Sequence, residues 1–161
     1  MKNVTLGLVT LVVLASLAVT ASAAPAHHIV FGGGTYVLLP STPEFTGTMI
    51  FSALQIGPGN NARGYFINTD RYIGQPRQNW GGNILYLKTE GKNAAMAGVI
   101  THSTLTEGCR AGQGFILFVK EGCPDQVGYG CTNTLEGAIH EVDIGRNPPY
   151  LTLTRGNVKV V

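Results

Sequence analysis

Charge is what this chain has least of: Asp, Glu, Lys and Arg together make up 12% of its 161 residues. A helix exposed to water normally carries Glu and Lys on its outer face, so this scarcity disfavours helices. No segment of about 12 residues or more repeats apolar positions with a 3.6-residue period. The 11 basic and 9 acidic residues form no run of either sign. Nucleic acid and anionic membrane are therefore poor expected partners, because both are recognised by concentrated positive charge.

Catalytic signatures are missing too. None of Ser41, Ser52 and Ser103 lies in a G-x-S-x-G elbow. Gly112-x-Gly114 and Gly128-x-Gly130 lack the third glycine and following helix of a dinucleotide fingerprint. Gly32-Gly33-Gly34 precedes the extended Thr35 to Leu39 with no Lys-Ser/Thr pair, so it reads as a bulge leading into an edge strand and not as a phosphate loop. There is no C-x-x-C, and His102 and His140 stand apart, so no metal and no cofactor is expected.

Cysteine is sparse, with Cys109, Cys123 and Cys131 the only three. An odd number in an oxidising compartment predicts one disulfide and one leftover thiol. If 114–120 is a strand, Cys109 and Cys123 lie beyond its opposite ends, more than about 20 Å apart and out of reach of each other. The expected bridge is then Cys123 to Cys131, closing a short loop, with Cys109 free.

What is present is glycine, 22 residues of it, between short apolar runs. From Gly81 to Gly122 three such runs follow one another, through Ile84–Leu87, Met96–Ile100 and Phe115–Val119, and read as a meander. Gly47–Ile56 is a further strand with apolar residues on both faces, which predicts cover on either side. Gly64–Asn68 and Leu135–Ile144 read as strands. Tyr150–Arg155 and Val158–Val161 read as a hairpin turning at Gly156-Asn157. Eight or nine strands and no helix imply an all-β domain, an antiparallel sandwich or a small closed barrel.

The first 23 residues carry Lys2, an apolar stretch from Val4 to Val19 and the small-residue triplet Ala21-Ser22-Ala23, the pattern of a secretory signal peptide. The expectation is a single domain over 24–161, secreted or periplasmic, with no membrane anchor after cleavage.

Gly32-Gly33-Gly34-Thr35, Asn93-Ala94-Ala95-Met96-Ala97-Gly98, the Phe115–Gly122 segment and Leu153-Thr154-Arg155-Gly156-Asn157-Val158-Lys159-Val160 together resemble the secreted bacterial post-COAP domains. The resemblance implies export and an all-β fold, and it carries over no catalytic residue. Where that family places Gly-Glu-Pro-Gly, this chain has Gly122-Cys123-Pro124-Asp125.

Two stretches are candidates for function. The first is the aperiodic segment 69–82, in which Arg71 and Arg77 offer forked donors, Tyr72 and Trp80 offer flat apolar faces, and Gln78 and Asn79 offer amides. That set suits a carbohydrate, a carboxylated ligand or a protein surface, and makes a binding or structural surface module the leading expectation. The other account of Trp80 is that it plugs the open end of the fold. The second candidate is His140-Glu141-Val142-Asp143, whose carboxylates would share one face of a strand. With His102 they would serve a small secreted enzyme, unless they are merely the polar side of an edge strand.

Overall fold

The computed structural model describes residues 27–39, 42–57, 59–146 and 148–161. The first 23 residues, expected to be a signal peptide, lie outside the described residues. The chain forms a closed antiparallel barrel of eight strands, each hydrogen-bonded to its neighbours in sequence, with the last returning to the first. These are β1 (Ile29–Leu39), β2 (Thr42–Gln55), β3 (Asn61–Arg71), β4 (Gln78–Glu90), β5 (Asn93–Ser103), β6 (Gly114–Lys120), β7 (Gln126–Thr132) and β8 (Leu151–Val160). A barrel has no edge strand, so Gly32–Gly34 lies not at an edge but between β2 and β8. A side chain at Gly33 would run into the Met49 carbonyl of β2, so the glycines permit the close approach of the neighbouring strands.

Alternation along the strands fills the interior. Phe51, Phe66, Trp80, Ile84, Met96 and Phe115 are among the side chains that pack into one core. Ring contacts knit it together, Phe66 meeting Phe115 at 4.1 Å and Trp80 at 4.8 Å between centroids. The barrel is thus a packed core and not a vessel, which an eight-stranded barrel is just wide enough to be.

Three sequence expectations are corrected. Leu135–Asp143 is a helix, α1, and not a strand. Thr134 caps it, its hydroxyl accepting from the Gly137 N–H at 3.1 Å. Ala138 and Val142, one turn apart, bury onto Ala97, Ile116 and Phe118 on the outside of the barrel. Nine residues are too few to show a period against a mostly extended chain. The C-terminal hairpin is instead the single strand β8, in which Gly156 sits against Gly34 in the β1 ladder and needs no turn.

The disulfide is Cys109 to Cys131, with Cα atoms 5.4 Å apart, and Cys123 is the exposed free thiol. The predicted Cys123–Cys131 bridge fails because Gln126–Thr132 is a full strand antiparallel to β6 and not a loop. Cys131 pairs with Phe115 at the start of β6, whereas Cys123 lies in the turn at its far end. The return of β7 brings Cys131 level with the segment that carries Cys109. Such a bridge belongs to an oxidising environment.

β8 completes the barrel through a narrow seam. Only Gln126 and Val127 of β7 pair with it. The β6–β7 turn does the rest with carboxylates: Asp125 Oδ2 accepts from Val158 N–H at 2.8 Å, and Glu121 Oε2 from Val160 N–H at 3.1 Å. The Asp125 carbonyl takes the Leu153 N–H at 2.9 Å.

Candidate binding site

Most of segment 69–82 is strand. Thr69–Arg71 ends β3 and Gln78–Gly82 begins β4, in register with each other, so the connecting loop is 72–77. Alternation then sorts the candidate residues. Trp80 opposes Asn68 on the inward register and is 1% exposed, so it is core and is removed from the candidate surface. Arg71 and Arg77 point out. Tyr72 is half-buried, its ring 5.1 Å from that of Phe45.

The two arginines come together. With Thr46, Thr48 and Thr69 they line an open groove of about 340 Å³ on the outer wall of the barrel. Register explains the assembly: Thr46 pairs with Arg71 and Thr48 with Thr69 across β2 and β3, which puts three hydroxyls and a guanidinium side by side. Among the described side chains, which do not include Glu44, no ion pair joins a carboxylate to either arginine. Five N–H donors per guanidinium and three hydroxyls make an acceptor-rich anion the matching ligand.

Beneath that wall, facing inward, lies a polar cluster that the sequence did not single out. Tyr36 Oη is 2.6 Å from Asn68 Oδ1 and 3.2 Å from both Asp70 Oδ1 and Tyr129 Oη. Asn68 Nδ2 donates to Asp70 Oδ2 at 2.9 Å. Gly47 makes room for the Tyr36 ring, which occupies the place a side chain would need there. Burial raises the Asp70 carboxyl above its ordinary range, opposed by hydrogen bonds from Asn68, Tyr36 and Trp80. Burial first, and then the neighbouring Tyr129 phenol and the Asp70 charge, hold Tyr36 well above the usual phenol range; Tyr129 is raised chiefly by burial and Asp70. Asp70 is 5% exposed, and Leu105 and Cys109 of the disulfide-tied loop pack onto the same core. The cluster is satisfied internally, so it orders the interior and presents nothing to a ligand. Its one sequence signal was Asn68 and Asp70 two apart on an alternating strand, a spacing that places both on one face.

The enzyme candidates are not gathered. His102 is on β5 opposite Gly81, and His140 lies exposed on α1. Glu141 also lies on α1 and accepts from Arg146 at 3.4 Å. Asp143 Oδ1 accepts from Tyr86 at 2.6 Å, tying the end of the helix to β4. A second groove, of about 280 Å³, lies by the β4–β5 hairpin and the end of α1. Lys88, Glu90, Lys120 and Tyr150 line it, two cations and one anion in an otherwise neutral wall.

Among the described residues no three His, Cys, Asp or Glu are grouped to hold a metal, and no helix is long and apolar enough to cross a membrane. Compared with protein-family models, curated proteins and solved structures, the chain matches none of them.

Proposed function

We infer that this protein is a secreted or periplasmic binding module that takes an anionic group in the outer groove of β2 and β3. The observation that carries the reading is the convergence of Arg71 and Arg77 on Thr46, Thr48 and Thr69, with no ion pair to a carboxylate among the described side chains. Guanidinium groups beside hydroxyls offer forked and single donors to the oxygens of a carboxylate, sulfate or phosphate, whatever molecule or surface bears it. The disulfide and the signal-like first 23 residues support the compartment. An enzymatic role has less support, since His102, His140 and Glu141 share no cleft and the interior is filled.

Titration with inorganic phosphate, followed through backbone amide resonances, tests the reading. Shifts centred on Thr46, Thr48 and Thr69 are expected, and Arg71→Gln with Arg77→Gln should weaken them about tenfold or more, as loss of two charge-assisted contacts does. Absence of shifts in the wild type, or shifts that persist in the double variant, would refute it.

A further inference from the structure

Two residues along each strand from the groove, the same outer wall changes character. Ile50 pairs with Ile67 next to the Thr48–Thr69 pair, Ser52 with Tyr65, Phe31 with Ser52, and Ile29 with Leu54. Ile29, Phe31, Ile50, Leu54, Tyr65 and Ile67 are each between 40 and 55% exposed. Together they present on the order of 500 Å² of largely apolar surface, at the upper end for the biggest patch on a soluble monomer. Gly47–Ile56 promised cover on both faces, and only its inner face has it.

The described charged side chains around this patch are mostly basic. Arg63 flanks Leu54, Arg155 flanks Thr35, Lys159 flanks Phe31, and Arg71 and Arg77 stand at the groove. Lys159 is tied to Glu121 at 2.8 Å, while among the described side chains, which do not include Glu44, no ion pair joins a carboxylate to any of the four arginines. Neither β1 nor β3 presents an acid outward, since Asp70, the only acid on either strand, faces in; β2 carries Glu44, whose side chain lies outside the described ones.

We propose that the outer face of β1, β2 and β3 docks on an anionic lipid surface, Phe31, Tyr65 and the isoleucines entering the boundary layer while Arg63, Arg71, Arg77 and Arg155 bind headgroup phosphates. This rests on the reading of the groove and names the source of its anion. Charge decides against a second copy as occupant: pairing the face with itself sets arginine against arginine. Shape decides against a rigid protein partner. The wall of a closed barrel is convex, so a folded partner would need a matching hollow, whereas a fluid lipid surface conforms. An aromatic and aliphatic band beside basic side chains is the chemistry of interfacial attachment, where apolar burial and attraction to anionic headgroups add.

Co-sedimentation with phosphatidylcholine vesicles, with and without phosphatidylglycerol, is the test, comparing wild type with Phe31→Ser/Ile50→Ser in chains with identical ends. Wild type should bind only the vesicles containing phosphatidylglycerol and release with added salt, and the apolar double variant should bind about tenfold or more weakly. The Trp80 emission, arising from the core, should be the same in both and so reports intact folding. The apolar variant should keep the phosphate-induced amide shifts, because Thr46, Thr48, Thr69 and the arginines are untouched. Wild type that fails to sediment overturns the docking proposal, and the phosphate shifts then decide the groove separately. A wild-type dimer that Phe31→Ser/Ile50→Ser makes monomeric, without vesicle binding, also overturns it and gives the face to a second copy. Binding of polyglutamate at Tyr65 and Ile67 without vesicle binding overturns it in favour of an acidic protein.

Discussion

Asp70 and the pair Glu121 and Asp125 put the same functional group to work in opposite surroundings. Asp70 lies inside the barrel, its oxygens shared between Tyr36 and Asn68, and burial lifts its pKa. Glu121 lies at the β7–β8 seam, where hydrogen bonds from Lys159 and the Val160 N–H draw its pKa below the ordinary value. A carboxylate in the interior opposes folding when it ionises, and only a network that meets each oxygen makes it tolerable. A carboxylate at the seam is there to be ionised, since it accepts the β8 N–H groups that have no β7 carbonyl to meet. The interior network specifies where Tyr36, Trp80 and Tyr129 sit; the seam carboxylates close the wall.

The comparison breaks most visibly at Trp80. Trp80→Ala empties space between Phe66 and Tyr129, whose rings lie 4.8 and 5.5 Å from the indole. A loss of about 3–5 kcal/mol in urea unfolding is expected for a buried large-to-small change of this kind. The wild-type indole should emit at short wavelength and resist a neutral quencher. A readily quenched indole, with the variant nearly as stable as wild type, would put Trp80 back on the surface.

A narrower pair of changes sets one hydrogen-bonded group against another. Tyr36→Phe keeps the ring against Gly47 and removes the hydroxyl shared by Asn68, Asp70 and Tyr129, leaving buried acceptors unmet at about 1–3 kcal/mol. Asp125→Asn keeps an acceptor oxygen for only one of the Gly122 and Val158 N–H groups, and at this half-buried site the other can turn to water. Its cost should stay below about 1 kcal/mol. Equal costs in denaturant melts would mean that the seam holds the barrel as firmly as the interior does.

Period-2 alternation made the strands legible, and with them the all-β class and most of the core. Closure was not legible, because a barrel and a sandwich present the same alternation and differ in whether β8 returns to β1. The helix was lost for want of length. The disulfide was lost through one boundary: Gln126–Thr132 taken as a loop leaves Cys131 beside Cys123, and taken as a strand carries it back to Cys109. Arg71 and Arg77 were singled out for their chemistry, and Trp80 was grouped with them by proximity in sequence, which a strand undoes by sending alternate residues to opposite sides. The outer patch was invisible for the converse reason. Its arginines are scattered through the sequence as single residues, and only the register gathers Arg63, Arg71 and Arg155 around Ile50 and Phe31.

The smallest effect expected is also the one that separates the two carboxylate settings by sign. A carboxyl with a raised folded pKa, such as Asp70, favours the fold most when protonated. Its contribution is complete below the ordinary aspartate value near ~3.9 and fades as pH rises through the higher folded value. A carboxyl with a lowered folded pKa, such as Glu121, favours the fold when ionised. Its contribution is complete above the ordinary glutamate value near ~4.3 and fades as pH falls through the lower folded one. Acidification from neutrality should therefore first relieve Asp70 and raise stability, and then protonate Glu121 and lower it. Glu121→Gln should flatten only the acidic limb of the melting-temperature profile, and Asp70→Asn only the limb above it. Glu121 is half-buried but pairs with the half-exposed Lys159 at the surface, so added salt should shrink the acidic limb more than the other. A profile in which Asp70→Asn alters the acidic limb instead would mean that the buried carboxyl is ionised at no cost, and the contrast between interior and seam would fall.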